Sequence, residues 1–361
     1  MDVHPEITPP SNFHQLRDTT PLPGARHKRL VAVVVTHRRL AQLQATLHAL
    51  LAYPERDLAA VLVVDNASDD GTPEWLSTLS DPRLIVLRND ANLGGAGGFE
   101  QGMRHAMEAL SPDWIVVMDD DARPEPGALA AFQALDLAGY DGFAAAVRNP
   151  DGTVCEMNRP TFNPFWNKRI LLRALIRGGG RDTFHLGQQD FETQGLRPID
   201  GASFVGFFVR AATVARRGYP DPDLFLYGED TIYTLGLTRD GHRIGFDPSV
   251  RFEHDNSTYS ATDPRIRPLW KVYYYHRNLL ILYRMATGIF FGPVLCLYLP
   301  KWLLRLRHHR GERRRFLRLF GMALRDGLLR RTTVPHSAIV AIARGADPSE
   351  EAIRGDVSAK E

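Results

Sequence analysis

Cysteine is almost missing from this chain: of 361 residues only Cys155 and Cys296 carry a thiol. That scarcity excludes a disulfide framework and a cysteine metal site, and it fits a reducing compartment. The opening MDVHPEITPPSNFHQL has no apolar run of signal-peptide type, so the expectation is a protein made and kept in the cytoplasm. A long uncharged apolar stretch is missing too. The longest, Met285 to Pro300, is short for a membrane span and is interrupted by Gly292-Pro293. No Gly-x-Gly-x-x-Gly turn and no basic glycine-rich loop follow the first apolar strand. The first absence rejects a hydride-transferring dinucleotide enzyme, and the second counts against a nucleotidyltransferase.

The net charge of +2 is small but uneven. Lys301 to Arg331 holds eleven Lys/Arg against Glu312 and Asp326, about +9, which leaves about −7 elsewhere. A basic block on an acidic chain points to an anionic partner.

What is present is an alternation of strands and helices. Leu30 to Val35, Ala60 to Val64, Leu84 to Leu87 and Trp114 to Met118 read as buried strands. Between them, Leu40, Leu43, Leu47 and Leu50 recur at helical spacing, Thr72-Pro73 opens a helix, and Phe99, Met103, Ala106 and Leu110 share a helical face. Such alternation predicts βαβ units and a mainly parallel sheet. Ligands then sit beyond the carboxyl ends of the strands. The polar motifs fall there: Thr36 to Arg39, Asp65, Asn92 to Gly98, and Asp119-Asp120-Asp121.

Stacked carboxylates closing an apolar strand are costly without a cation. Carboxylate oxygens suit Mg²⁺ or Mn²⁺, which hold phosphates. Asp119 and Asp121, two apart on an extended end, can point to one side; the bland alternative is a solvated acidic turn. Asp65-Asn66-x-Ser68 can accept from a nucleotide, or can be an ordinary strand-to-helix turn. Gly94, Gly95, Gly97 and Gly98 let backbone approach a ligand and lead into a helix N-terminus that favours anions. Glu229-Asp230 after an aromatic-apolar run can supply a general base, or can merely complement a helix dipole. His254 closes a strand and can complete a carboxylate metal site, yet the chain has 13 histidines, most of them bystanders.

Taken together, Val33-Val-Val-Thr36-His-Arg-Arg39, Val63-Val-Asp65-Asn66-x-Ser68, Asn92-Leu-Gly-Gly-x-Gly-Gly98, Asp119-Asp-Asp121, Gly228-Glu229-Asp230 and His254 resemble family-2 glycosyltransferases of GT-A fold. The resemblance covers about residues 29–256. It implies that Thr36, Arg38, Asp65, Arg88, Asn92, Gly94, Gly95 and Asp120 bind a nucleotide-sugar. It implies that Asp119, Asp121 and His254 hold Mn²⁺ or Mg²⁺, with Asp230 as catalytic base and Glu229 beside the acceptor. The implied reaction is one inverting displacement. The glycine run looks more like that of galactofuranosyltransferases, which use UDP-galactofuranose, than of rhamnosyltransferases using dTDP-rhamnose. A non-catalytic nucleotide-sugar or membrane-surface binding protein is the rival of another class; a binding module has no need of a base.

The expected organisation is a tail over 1–28, a catalytic domain over 29–256 with a mobile lid over 150–198, and a helical basic region over 257–361. The last region places Trp302, Leu303, Leu306, Phe316, Leu319, Phe320 and Leu324 among arginines. It reads as an amphipathic surface that lies on the inner face of the cell membrane, next to a lipid-linked glycan acceptor. Its aromatics precede the charges rather than interleave with them, so nucleic acid is not expected. A homo-oligomer is left open.

Overall fold

A computed structural model describes residues 27–176, 180–255 and 265–345. The expected N-terminal tail, the end of the chain, and Gly178-Gly179 within the glycine run at 178–180 lie outside the described residues.

Four strands come first: β1 Leu30–Thr36, β2 Ala60–Asp65, β3 Leu84–Arg88 and β4 Trp114–Asp119. Helices α1 Leu40–Leu51, α2 Thr72–Leu76 and α3 Gly94–Ala109 connect them. The rest of the sheet is β5 Ala122–Pro124, β6 Gly142–Arg148, β7 Arg197–Ile199, β8 Phe207–Arg210 and β9 Ile244–His254. Its order is β3-β2-β1-β4-β8-β6-β9-β5, and β7 joins β9. β1 to β4, β6 and β9 run one way, while β5, β7 and β8 run against them. The sheet is therefore mostly parallel, as expected, with antiparallel strands inserted beyond β4.

Every residue of β1 and β2 is buried, which explains their unbroken apolar runs. Alternate side chains feed two cores. Leu30, Ala32 and Val34 pack with Leu43, Leu47 and Leu50 of α1 and Phe132 of α4 (Ala128–Ala134). Val31, Val33 and Val35 pack with Phe99 and Met103 of α3 and Leu237 of α8 (Glu229–Arg239).

Between β6 and β7 the chain holds α5 (Lys168–Ile176) and α6 (Gln188–Glu192), anchored by buried Val154, Leu186 and Phe191. α5 buries none of its residues. α7 (Ala211–Arg217) follows β8.

Four helices complete the described chain: α9 Lys271–Thr287, α10 Phe291–Leu304, α11 Arg313–Leu329 and α12 His336–Arg344. They share a third core built on Tyr273, Tyr274, Trp302, Phe316 and Ile342, which also takes in Phe225 and Tyr227 of the catalytic part. The helical run breaks within the expected stretch, at Gly288 rather than at Gly292-Pro293: Gly288 takes a φ of 53°, and α10 folds back so that Trp302 meets His276 and Tyr283 of α9. Pro293 falls in the first turn of α10, where its missing N–H costs nothing. By length and composition, the stretch Lys271–His308, which holds both α9 and α10, is the one among the described residues apolar enough to cross a membrane.

Candidate active site

Strand register brings the motifs level. β1 and β2 set Thr36 beside Asp65, and β1 and β4 set Val35 beside Asp119. The Thr36 hydroxyl donates to Asp120 Oδ2 at 2.8 Å. Thr46 of α1 donates to the Asp120 carbonyl at 2.7 Å, which fixes the turn from below.

The cation at this turn is Arg39, which sequence reasoning placed in the motif without a role. Its Nη1 lies 2.9 Å from Asp120 Oδ1 and 2.6 Å from Asp121 Oδ2. Arg38, expected to touch the donor, turns outward and pairs with exposed Asp69 at 2.6 Å. Its positive φ of 56° is the reason, since it swings the side chain to the rim.

His254 reaches the aspartates because β5 and β9 pair antiparallel, with Ala122 opposite His254. Asp255 N donates to the Asp121 carbonyl at 2.9 Å, which closes that ladder. His254 Nε2 stands 3.3 Å from Asp121 Oδ1. Its Nδ1 lies 2.8 Å from Asn158 Oδ1, an acceptor, so Nδ1 carries the proton. Asn158 in turn donates to Ser203 Oγ at 2.9 Å, and the Cys155 thiol donates to Asn158 Oδ1 at 3.0 Å. Asn158 and Cys155 sit in an irregular segment with no motif around them, so no sequence signal marked them.

The carboxylates crowd one another. Burial, then the neighbouring Asp121 and Asp120, pushes Asp119 up to about 8. Burial also drives Asp120 up to about 6, against the pull of Arg39. Asp121 resists its burial, because His254 and Arg39 hold it below the usual carboxylate range. Burial would lower His254, but Asp121 overrides it and raises the imidazole to about 10.

Asp121 Oδ1 is buried, and its neighbour is His254 Nε2 at 3.3 Å, an ion pair without an aligned hydrogen bond. A hard carboxylate oxygen facing an imidazole nitrogen, its other nitrogen oriented by an amide, suits Mn²⁺. The full set of Asp119, Asp121 and His254 is not gathered into a cage. Among the described residues no three His, Cys, Asp or Glu side chains converge closely enough to hold an ion.

Asp65 is fully buried; its Oδ1 accepts from the Ser68 amide at 2.9 Å. Its Oδ2 has no hydrogen-bond partner and lies 3.9 Å from Arg88 Nε. Asn92 caps the glycine run, its Oδ1 accepting from the Gly94 amide at 2.8 Å. The glycines make room for protein as well as ligand. A Cβ on Gly94 would fall on the Phe225 carbonyl, one on Gly98 would lie 2.6 Å from Val35 Cγ1, and one on Gly95 would lie 3.1 Å from Glu229 Oε1.

Glu229 and Asp230 open α8 and face this cluster, close enough for their charges to act on Asp119. Burial, then Asp230, pushes Glu229 well above the usual range, and its Oε2 is buried without a partner. Burial raises Asp230, against donation from the Thr231 amide at 2.6 Å and hydroxyl at 3.1 Å. Asp119, Asp120, Asp121, Glu229, Asp230 and His254 thus lie at the same strand ends as Thr36, Asp65 and the glycine run, while the Arg38 guanidinium stands at the rim.

A mostly parallel sheet with a carboxylate cluster and a separate acid pair at its strand ends has the GT-A fold. The chain belongs to glycosyl transferase family 2: that family model matches residues 31–188, and a relative supports it over a longer span. That relative is galactofuranosyltransferase GlfT1 of Mycolicibacterium smegmatis, 33% identical over 63% of this chain and 71% of its own length. The N-acetylglucosaminyl-diphospho-decaprenol L-rhamnosyltransferase of Mycobacterium tuberculosis is 26% identical over 65% of this chain and 78% of its own. Among solved structures, GalNAc-T7 with UDP, GalNAc and Mn²⁺ is similar in fold, with a TM-score of 0.51 at 15% identity, over 85% of this chain and 58% of that one.

Proposed function

We propose that this glycosyltransferase is metal-dependent and inverting, and that it moves galactofuranose from UDP-galactofuranose onto a lipid-linked glycan. The observation that carries the reading is the buried Asp121 Oδ1 opposite His254 Nε2, with Asp230 across the same crevice. In this reading Asp121 and His254, with Asp119 beside them, would hold Mn²⁺ or Mg²⁺, and Asp120 braces the turn through Thr36 and Arg39. The bound ion would neutralise charge on the departing diphosphate. Thr36, Asp65, Arg88 and Asn92 bind the nucleotide, with Asp65 Oδ2 free to accept from base or ribose. The acceptor hydroxyl gives its proton to Asp230 and its oxygen bonds to the anomeric carbon as the bond to the diphosphate breaks, so the configuration inverts. Glu229, whose carboxyl burial pushes well above its usual range, would sit beside the acceptor.

The relatives' names support this choice of donor and acceptor, with rhamnose from dTDP-rhamnose as the second reading. Supplying UDP-galactofuranose and dTDP-rhamnose separately, with a polyprenyl-diphosphate glycan, is expected to release UDP at least about tenfold faster than dTDP. That ratio is about 1.4 kcal/mol of discrimination. Faster dTDP release would turn the assignment to rhamnose. Release of neither nucleotide would leave only a binding protein.

The protein is proposed to work peripherally on the cytoplasmic leaflet, through α10 and the basic turn after it. Ile289 just ahead of α10 and Leu297 and Leu304 within it are 91%, 67% and 60% exposed, and Lys301, Arg305 and Arg307 lie at the far end of that helix and in the turn after it. The first half of α9 is packed inside the protein, so it does not face lipid. Sedimentation with phosphatidylglycerol vesicles should be strong at low salt and fall several-fold at high salt. Equal binding to neutral vesicles would remove the electrostatic half of this picture.

A further inference from the structure

The loop leading to Glu229 has an unfavourable backbone. Phe225 and Tyr227 both take positive φ, 63° and 73°, and Gly228 follows at 83°. Non-glycine residues hold such angles only where their surroundings over-determine them. The surroundings here are two buried side chains of α9, more than fifty residues downstream.

Asn278, 1% exposed, directs its Nδ2 at three carbonyls of the loop: Leu224 at 3.0 Å, Leu226 at 2.9 Å and Tyr227 at 2.8 Å. Arg277, fully buried, donates from Nη2 to the carbonyls of Asp223 at 2.9 Å and Leu224 at 2.8 Å. Its Nε donates to Asn278 Oδ1 at 2.8 Å, which fixes which end of the amide meets the loop. A pair of buried polar residues is costly unless each bond is made. Here five of those bonds go to the carbonyls of one five-residue stretch, 223–227, and Arg277 Nη1 donates to the Thr332 carbonyl at 3.3 Å.

The same stretch touches the donor side. The Phe225 carbonyl accepts from the Ala96 amide at 3.2 Å, and it occupies the space that a Cβ on Gly94 would need. One strained segment therefore joins the glycine run, α9 and the N-terminus of α8.

We propose that Asn278, braced by Arg277, is a positioning residue for transfer. It holds Leu224–Gly228 so that Asp230 faces the donor crevice, which makes α9 part of the active centre rather than only a support for the basic helices. The inference rests on the reading of Asp230 as the base.

The test is a graded series, Asn278→Ser and Asn278→Ala, in the full chain. Serine keeps one donor and alanine none. At saturating donor kcat should fall about tenfold in the serine variant and about a hundredfold in the alanine variant, the scale of a misplaced reacting group. The Kd for UDP should stay within about twofold. Hydrogen exchange at the amides of 225–231 should rise about tenfold while β1 to β4 stay protected. Unchanged kcat or unchanged exchange would overturn the proposal. So would exchange rising across the whole sheet together with lost UDP binding, because that is general unfolding. If the alanine variant does not fold, the serine variant decides on the same readings. A parent protein that transfers no sugar removes the base assignment itself; a parent that transfers as fast as both variants removes only the clamp.

Discussion

Asp121→Ala is expected to abolish sugar transfer, by about a thousandfold or more. This residue offers the one oxygen of the strand-end cluster that is buried, without an aligned hydrogen bond and opposite His254 Nε2. Without it the imidazole alone cannot hold a divalent ion. The fold should survive the change. Burial and the two neighbouring aspartates already push Asp119 up to about 8, so removing one carboxylate relieves repulsion. Arg39 keeps its bond to Asp120 at 2.9 Å. Mn²⁺ binding, followed by electron paramagnetic resonance, should disappear while the melting temperature stays within a few degrees. Asp119→Ala should share the loss of turnover. Transfer within about tenfold of the parent, insensitive to EDTA, would end the metal assignment.

Asp230→Asn is expected to cut kcat by about a hundredfold to ten-thousandfold while UDP still binds. The substitution is close to isosteric. An asparagine carbonyl can go on accepting from the Thr231 amide and hydroxyl, which Asp230 Oδ1 holds at 2.6 and 3.1 Å. What is lost is the proton acceptor. Burial holds the Asp230 carboxyl above its ordinary range, which brings it closer to the pH at which a base can both accept and release. Steady-state rates at saturating donor and a separate UDP titration check the two halves. A kcat within twofold of the parent would pass the base to another group, with Glu229 next to be tested.

Both expectations concern residues that were legible in the chain before any fold was known. The first four strands were predicted to within one residue: β1, β2 and β4 are short apolar runs buried on both faces, and β3 is a half-exposed apolar run at the sheet edge. Their polar ends had to converge, since parallel strands present their carboxyl ends together. The glycine run was legible as a place of close approach, but not what approaches. At Gly94 and Gly98 it is Phe225 and Val35 of the protein itself. Arg39 was passed over for Arg38 because adjacent residues look alike in sequence, and only the left-handed turn at Arg38 decides which faces inward. The break in the helical run at 271–308 was legible, but not its place: it falls at Gly288, and Gly292-Pro293 opens the helix that follows.

The sequence by itself determined the alternation of strands and helices, the acid-rich strand end and the acidic pair that opens α8. Those are local properties of period, composition and order. Only the tertiary structure decided that His254 stands beside Asp121, that Asn158 orients it, and that Asn278 grips the loop ahead of Asp230. Each of these contacts joins residues about fifty or more positions apart. They follow from strand register and helix packing, and no periodicity along the chain encodes a distance of that kind.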